Sequence, residues 1–309
     1  LIHDLNIMNS RSGNQVPFSS INFGTDISPE GRCVIKAFLE AVDNGVGNEN
    51  KTAIFPISIF KVKAGINRNS EDKNYDLFKF AQKVTSKRFF PNFINLDTAY
   101  NYNEKWDIND PNRWYYEPST MGCRTRVYEN RHGEKSSVGR GNASFTSINI
   151  VRLALKAMKS KKTIEERKEV FFAEMDKIMS LTANQLVERW EWQKTALAKQ
   201  FPYVMKYLAE YNEGIKSSDK VENIIKHFTL SIGFIGLAEA LVALTSTIDS
   251  EGNYVKGVHH GESDEAQALG IEIVRHMHLK CKEFSEKYDL NFGLIATPAE
   301  GLSHKFTDS

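Results

Sequence analysis

Cys123 is a residue whose setting could support unusual chemistry, in the stretch STMGCRTRV at 119–127. In an extended backbone alternate side chains point to opposite faces, so the thiol would point inward and the Arg124 and Arg126 guanidinium groups outward, toward acids or phosphates. Gly122 would let another chain or a small molecule approach the backbone beside the sulfur. A small buried core cysteine explains the same pattern. An activated thiolate is disfavoured, because no histidine lies nearby in the sequence to deprotonate it.

A second polar stretch, VGRGNASFTS at 138–147, places Asn142 at the start of a predicted strand. Its glycines flank Arg140, and such a loop either presents backbone N–H groups to an anion or forms a tight turn. The spacing does not match a common nucleotide-binding fingerprint, because the glycines precede a strand and not a helix.

A third candidate is the stretch IATPAEGLSHKF at 295–306. A strand is expected to end before Thr297 and a helix to begin near Ala299. Free N–H groups at a helix start, with the Thr297 and Ser303 hydroxyls nearby, would suit a phosphate group. Ordinary helix capping explains these residues equally well.

The histidines indicate no metal site. His276 and His278 face different directions on a predicted helix, and His259 and His260 lie in a glycine-containing loop. The sequence contains neither an HExxH motif nor a paired-carboxylate motif.

The elements that must position these residues alternate between strand-like and helix-like segments, which predicts an α/β fold whose strands are covered by helices. Predicted strands occupy 15–23, 53–62, 93–100, 122–128, 144–150, 228–236 and 292–297. Predicted helices occupy 32–42, 75–89, 151–160, much of 161–215, 237–244 and 264–288.

Three details of this prediction concern particular residues. Pro56 suggests an edge strand or a bend. In the long helical section one face carries Met179, Leu186, Trp190 and Leu197, whereas Trp192 falls off that face. The polar segment 103–119 is expected to be a surface excursion.

The composition is that of an ordinary globular protein, with 41% hydrophobic and 26% charged residues. Because 40 Lys and Arg balance 39 Asp and Glu, we expect no binding to nucleic acid or to an anionic membrane. Three scattered cysteines form no disulfide framework or CxxC metal spacing and favour the reducing cytoplasm. No stretch approaches the roughly 18 apolar residues of a membrane span, and no signal peptide opens the chain. The sequence starts at Leu1, which predicts that it is part of a longer protein.

Five ordered motifs together resemble one family, the anaerobic (class III) ribonucleoside-triphosphate reductases, which are glycyl radical enzymes. The motifs are NQVPFSSINFGTD, STMGCRTRV, GRGNASFTSIN, GFIGLAEAL and ATPAEGLS. They extend from about residue 10 to the end of the chain.

The resemblance implies a ten-stranded α/β barrel with a central finger loop whose tip carries Cys123. Residues 1–309 would be one portion of this catalytic barrel, incomplete at both ends, with a helical excursion at 161–215. A thiyl radical on Cys123 would abstract the ribose 3′ hydrogen of a ribonucleoside triphosphate. The intact enzyme would form 2′-deoxyribonucleoside triphosphates with formate as the reductant, although some relatives use a thiol protein.

The resemblance also assigns further site residues. Asn142 corresponds to the active-site asparagine, whose amide would hydrogen-bond the ribose hydroxyls. Met121 would either shape the substrate pocket or simply pack. The substrate phosphates would be held by the turn residues Thr297, Glu300, Gly301, Leu302 and Ser303. Glu300 would act through its backbone N–H or through a hydroxyl contact, because its charge opposes a phosphate.

Several parts of the family's machinery have no counterpart in this sequence. They are the glycyl radical segment with its Arg-x-x-Gly-Tyr motif, the four-cysteine zinc site, the second active-site cysteine, the ATP-binding module and most of the dNTP effector site. We therefore expect the chain alone to be catalytically silent. The implied partners are a radical S-adenosylmethionine activating enzyme with an iron–sulfur cluster and a second copy of the protein in a homodimer.

Two alternative functions stay open. A glycyl radical lyase acting on small acids is disfavoured by GRGN…SF and by TPAEGLS. A non-catalytic split subunit or nucleotide-binding fragment would use this part of the barrel only for assembly.

Overall fold

The computed structural model describes residues 1–9, 16, 18–122, 125–207 and 213–297. The chain divides into two compact units, Leu1–Arg140 and Gly141–Ser309. The described helices are α1 Ile2–Ile7, α2 Pro29–Asn44, α3 Tyr75–Arg88, α4 Ile150–Ser160, α5 Ile164–Gln193, α6 Pro202–Tyr207, α7 Glu222–Ile225, α8 Leu237–Thr245 and α9 Asp264–Tyr288. The described strands are β1 Ser20–Phe23, β2 Ile57–Val62, β3 Asn92–Asn95, β4 Ser119–Met121, β5 Thr125–Val127, β6 Asn142–Asn149, β7 Thr229–Ile235, β8 Thr247–Ile248, β9 Tyr254–Val255 and β10 Asn291–Ala296. Two short 3₁₀ helices span Arg113–Tyr116 and Ala198–Gln200.

The first unit contains a parallel sheet in the order β1-β2-β3. Ile59 on the central strand pairs with Asn22 on β1 and with Asn92 on β3. All six residues of β2 are buried, as expected for a parallel strand covered on both faces. Pro56 lies in a bend that directly precedes this central strand, so of the two predicted alternatives the bend is confirmed and the edge position is wrong.

One face of this sheet is covered by α2 and α3. The Ser28 hydroxyl caps α2 by accepting from Gly31 N, and the helical spacing then turns apolar residues toward the sheet. The core on this side consists of Ile2, Ile35, Leu39, Val42, Ala53, Phe60, Val62, Leu77, Ala81 and Val84. The opposite face carries a separate, smaller cluster of Ile57, Ile59, Ile94 and Leu96. The sheet thus has a helix-covered face and a helix-free face within the described residues of this unit.

The second unit contains a parallel sheet in the order β10-β7-β6. Ile232 on the central strand pairs with Thr146 on β6 and Leu294 on β10. Helices α4, α5, α8 and α9 share the hydrophobic core of this unit with the buried side chains Ile148, Leu230, Ile232 and Phe234 of the sheet. Since side chains alternate along a strand, Phe145, Ser147 and Ser231 point to the opposite face, on which Gly233 also lies and which no helix of the described residues covers. We call it the helix-free face of this sheet.

Helix α5 is the longest described helix and starts with a capping box formed by Thr163 and Glu166. The predicted apolar face is confirmed for Met179, Leu186 and Trp190, which are buried. Trp192 is 78% exposed, as predicted from its position off that face. The placement of Leu197 on this face is wrong, because α5 ends at Gln193.

Three further predictions need correction. The single strand predicted at 122–128 is instead the second half of an antiparallel hairpin, in which β4 pairs with β5. The segment 103–119 is not a surface excursion throughout, because Glu117 near its end is 1% exposed. The strand predicted at 93–100 ends at Asn95, because the chain turns there and Thr98 Oγ1 and Asn101 Nδ2 donate to Asn95 O.

Candidate functional site

The hairpin β4–β5 carries the predicted catalytic cysteine in its connection. Ser119 pairs with Val127, Thr120 with Arg126 and Met121 with Thr125. Gly122 follows with φ +62°, a backbone region in which glycine has no steric penalty. Cys123 and its neighbour Arg124 lie outside the described residues, so the predicted placement of the thiol stays a prediction.

The hairpin contacts the helix-free face of the first sheet through Asn22 on β1. The Asn22 amide accepts a hydrogen bond from Thr120 N at 3.1 Å and donates one to Thr120 O at 3.2 Å. Ser20 Oγ also donates to Thr120 O, at 3.4 Å. One side chain therefore pairs with both backbone groups of a β4 residue, as a neighbouring strand would.

The base of the hairpin is held by Glu117, which precedes β4. Its carboxylate accepts hydrogen bonds from Lys61 Nζ at 3.0 Å, Thr25 Oγ1 at 3.1 Å and Trp106 Nε1 at 3.2 Å. The Lys61 side chain is 7% exposed, so the ion pair is buried on both sides. Ser137 Oγ donates to the backbone oxygen of Glu117 as well.

The sequence pattern did not single out Asn22, Lys61 or Glu117. Lys61 did offer a signal, since it is the one charged residue of the apolar run AIFPISIFKV before the final valine. A lysine is rarely fully buried without a partner, so such a position predicts a buried acid elsewhere in the chain.

The returning strand is fixed by Arg126, whose guanidinium group donates to both carboxylate oxygens of Glu129. Its Nε also donates to Asn101 Oδ1 at 2.7 Å. Burial acts to raise the pKa of Glu129, but the Arg126 hydrogen bonds and charge outweigh it, so the pKa lies below its ordinary value. Next to them, Tyr128 is buried and its hydroxyl donates to Tyr116 O. Met121, predicted near the substrate pocket, ends β4 and is 39% exposed.

In the second unit, Asn142 begins β6 at a bulge where the register with β7 shifts between Asn142 and Ser144. Bulges redirect side chains and are common beside active sites. With the amide nitrogen toward β7, Asn142 Nδ2 donates to Thr229 O at 2.9 Å, to Ser144 O at 3.2 Å and to Ser231 Oγ at 3.1 Å. The reverse orientation would place the amide oxygen against two carbonyl oxygens, so it is disfavoured.

Thr297 lies just beyond β10, where its N–H donates to Phe234 O. Its hydroxyl lies 2.7 Å from Ser147 Oγ. A Cβ on Gly233 would lie 2.1 Å from Thr297 Oγ1 and 2.7 Å from Ser147 Oγ, so only glycine leaves room for this pair. The other predicted phosphate-loop residues, Glu300, Gly301, Leu302 and Ser303, lie outside the described residues.

Asn142 and Thr297 do not meet directly. Asn142 pairs with Thr229 at the start of β7, whereas Ser147, the hydrogen-bond partner of Thr297, pairs with Gly233 near its end. Thr229 and Gly233 are four residues apart, which at about 3.3 Å per residue is about 13 Å along β7. On the helix-free face between them lie Ser231 and the large apolar side chain of Phe145, which is 60% exposed.

The two described cysteines lie in contrasting environments. Cys33 is exposed on α2. Cys281 is buried in α9, and this burial raises the pKa of its thiol to about 12. Cys281 therefore stays protonated at neutral pH and is unsuited to act as a nucleophile or metal ligand.

No group of three or more His, Cys, Asp or Glu side chains is arranged to hold a metal ion within the described residues. A four-cysteine zinc site does not fit this chain, which contains three cysteines. In the same part of the chain, no helix is both long and apolar enough to cross a lipid bilayer.

The fold and the site define an α/β protein in which a hairpin with a cysteine in its connection lies on the helix-free face of a parallel sheet. Residues 1–309 match the family described as anaerobic ribonucleoside-triphosphate reductase. The chain therefore belongs to the anaerobic ribonucleoside-triphosphate reductase family.

Curated relatives of this description occur in bacteria and in a bacteriophage. The chain is 29% identical to the protein of Salmonella typhimurium over 99% of its own length and 39% of that relative. It is 27% identical to the protein of Enterobacteria phage T4 over 98% of its own length and 45% of that relative. The chain thus spans less than half the length of these curated relatives.

A solved structure with a similar fold is the anaerobic ribonucleotide reductase from Thermotoga maritima with citrate in the active site. The TM-score between the two structures is 0.60 at 15% sequence identity, and the match covers 97% of this chain and 49% of the Thermotoga maritima chain. The likeness supports the mixed α/β fold with parallel sheets.

Proposed function

We propose that this chain is the central portion of an anaerobic reductase that converts ribonucleoside triphosphates to 2′-deoxyribonucleoside triphosphates through a thiyl radical on Cys123. The observation that carries the proposal is the hairpin β4–β5, held by Asn22 on the helix-free face of the first sheet, in a chain that belongs to this family throughout its length. A glycyl radical lyase is disfavoured by that family membership.

The proposed barrel explains why two sheets have helix-free faces. In a closed α/β barrel, helices cover the outside and the inward-facing side chains of parallel strands line the interior. The two three-stranded sheets would supply six of the ten strands, and the longer protein would supply the others. A dry interior would protect a radical from water and from competing reactions.

The chemistry suits a neutral, positioned sulfur. The Cys123 thiyl would take the hydrogen from ribose C3′, which forms an S–H bond and leaves an unpaired electron on that carbon. The adjacent 2′ hydroxyl would then leave as water after gaining a proton. The two electrons and the proton released as formate is oxidised to carbon dioxide would form the new C2′–H bond, and return of the hydrogen from the Cys123 S–H to C3′ would restore the thiyl. The glycyl radical of the longer protein would provide the initial oxidising equivalent. Because hydrogen-atom transfer requires contact distance and no base, positioning would provide most of the catalysis.

The remaining predicted residues would bind the substrate. Asn142 lies at a bulge, with its nitrogen already bonded to β7, which leaves its uncharged amide oxygen as an acceptor for a ribose hydroxyl. Thr297 would place the turn at 298–303 so that Glu300, Gly301, Leu302 and Ser303 could contact the triphosphate. Met121 would form an apolar wall of the pocket.

The effectors and partners that we propose are those implied by the family. The reductase of Thermotoga maritima was solved in complex with dATP and CTP, a structure of TM-score 0.56 to this chain at 14% identity. We propose dNTP or ATP effectors, a radical S-adenosylmethionine activating enzyme, formate as the reductant and a homodimer for the longer protein. Zinc would bind outside this chain, and the cytoplasm would be its compartment.

The test compares two cysteine variants in the longer protein that contains this chain. After anaerobic activation by its activating enzyme, the protein is supplied with CTP and formate, and dCTP is measured. We expect Cys123→Ser to abolish product, because an alcohol O–H does not form the required radical, whereas Cys33→Ser, on the exposed side of α2, retains wild-type turnover.

Product formation at the wild-type level by Cys123→Ser would contradict the proposal. The 309-residue chain alone, under the same conditions, is expected to form no dCTP. If an activated longer protein formed no deoxynucleotide from any ribonucleoside triphosphate, an assembly role would be favoured instead.

A further inference from the structure

The buried ion pair between Lys61 and Glu117 demands a physical explanation. Moving two charges out of water costs several kcal/mol per ion, and well-packed apolar residues often give equal or greater stability. Here the carboxylate also engages Thr25 and Trp106, so both of its oxygens have donors within 3.2 Å. Stability alone does not account for this buried ion pair. Accurate placement of the segment that carries Glu117 does account for it.

The donors to Glu117 come from three separate parts of the first unit. Lys61 lies on β2, Thr25 follows β1, and Trp106 lies in the segment before the hairpin. A carboxylate bonded from three directions has little freedom to shift or rotate, since each movement breaks a charge-assisted hydrogen bond. The backbone at Glu117, which leads through Pro118 into β4, is fixed accordingly.

Asn22 supplies a second point of attachment on the same face of the sheet. It pairs with Ile59, and Lys61 lies two residues beyond Ile59, so both side chains project from the helix-free face. Asn22 bonds the backbone of Thr120 within β4, while Lys61 bonds Glu117 before β4. We call Asn22, Lys61 and Glu117 the hairpin anchor.

We propose that the hairpin anchor consists of positioning residues that set the distance between Cys123 and the ribose for hydrogen abstraction. This inference rests on the proposed function and extends it to residues that do not touch the substrate. A misplacement of about 1 Å at a reacting centre can cost about 10²-fold in rate, and β4 leads directly to the cysteine. The anchor would therefore control the rate of abstraction more than the binding of nucleotide.

The test uses Glu117→Gln in the activated longer protein, with Asp76→Asn as the matched control. Both changes neutralise a carboxylate that pairs with a cation in the first unit. Asp76 pairs with Arg32 at 2.9 Å between α3 and α2, away from the hairpin. Turnover is divided by the glycyl radical content, measured by electron paramagnetic resonance, and is compared for CTP and for CTP deuterated at C3′.

For Glu117→Gln we expect turnover per radical to fall about 10- to 100-fold, with the KM for CTP within about twofold of wild type. We also expect the deuterium isotope effect on turnover to exceed that of the wild type, because slower abstraction becomes more rate-limiting. Asp76→Asn should change neither the turnover per radical nor the isotope effect. A purely structural defect would lower the active fraction without changing the isotope effect.

Asn22→Leu keeps the inference testable if Glu117→Gln does not fold. It removes both bonds to Thr120 with similar volume and leaves no buried charge unpaired, and it should give the same kinetic signature. Unchanged turnover per radical, or lower turnover with an unchanged isotope effect, in the folded variants would overturn the anchor. The proposed function would still stand in that case if Cys123→Ser were inactive and the wild type active.

Discussion

At the scale of single residues, Gly122 limits how the hairpin can turn. Its φ of +62° lies in the left-handed region, and a Cβ there would lie 2.8 Å from Cε1 of Phe18. The Phe18 ring packs edge-on against the Phe55 ring, with 5.0 Å between the ring centroids. Moving the Phe18 ring aside would therefore weaken that contact. Space beside Gly122 is therefore limited by an aromatic pair as well as by its backbone conformation.

Gly122→Ala should destabilise the chain by about 2–3 kcal/mol, from the left-handed backbone and the displaced ring. Gly47→Ala is the matched control, because Gly47 has φ +71° and, beyond its chain neighbours, no described atom lies within 4 Å of the position that a Cβ would take. It should cost only about 1 kcal/mol, from the backbone alone. The comparison is made by denaturant unfolding of both variants, and equal losses would show that Phe18 does not restrict the turn.

Residue types predicted the candidate residues, but not the contacts that support the hairpin. The motifs singled out Asn142 and Thr297, and the structure places the first at a bulge and the second beside Ser147. Glu117 was missed because its burial depends on Lys61 and Thr25, which are distant in the sequence. Local spacing contains no information about such a meeting of three segments.

At the scale of elements, Arg167 joins the start of α5 to the end of α8. The guanidinium group is buried and donates to the backbone oxygens of Leu244 and Ser246, and its Nε donates to Lys161 O at 2.9 Å. The last carbonyl groups of a helix lack partners within that helix. Arg167 therefore satisfies the terminal carbonyls of α8 in a place that water does not reach freely.

Arg167→Met should lower the free energy of unfolding by about 2–3 kcal/mol, because it leaves buried carbonyl oxygens without donors. Arg167→Lys should recover part of this loss by retaining one donor. The control is Arg275→Met on the exposed side of α9, for which we expect a change within about 0.5 kcal/mol. Denaturant unfolding measures all three, and equal stabilities of the two methionine variants would refute the bridging role of Arg167.

Helices were predicted better than the hairpin, for a physical reason. The 3.6-residue periodicity of a helix and the caps of α2, α5 and α9 are local properties, so the positions of these helices follow from the sequence. The alternating pattern of GCRTRVY is the same for a single strand and for one arm of a hairpin. The reversal depends on the backbone of Gly122 and on pairing with β4, neither of which periodicity reveals.

At the scale of the whole molecule, each unit has a parallel sheet with one face that no described helix covers. On the second sheet this face exposes Phe145, which is 60% exposed on β6 and lies opposite Ser231 in register. Parallel sheets are normally covered on both faces, and large apolar side chains left in water favour association. The proposed barrel would enclose this face in the longer protein.

Phe145→Ser should therefore have opposite consequences in the two settings. In the 309-residue chain the serine removes exposed apolar surface, so we expect less self-association by analytical ultracentrifugation and little change in stability. In the longer protein the same change should cost about 3 kcal/mol or more, since it would remove a buried aromatic side chain from a packed interior. Leu155→Ser, on the exposed side of α4, serves as the control and should cost much less in the longer protein. If Phe145→Ser left the longer protein as stable as this control, Phe145 would remain in water there, and the proposed enclosure of this face would be wrong.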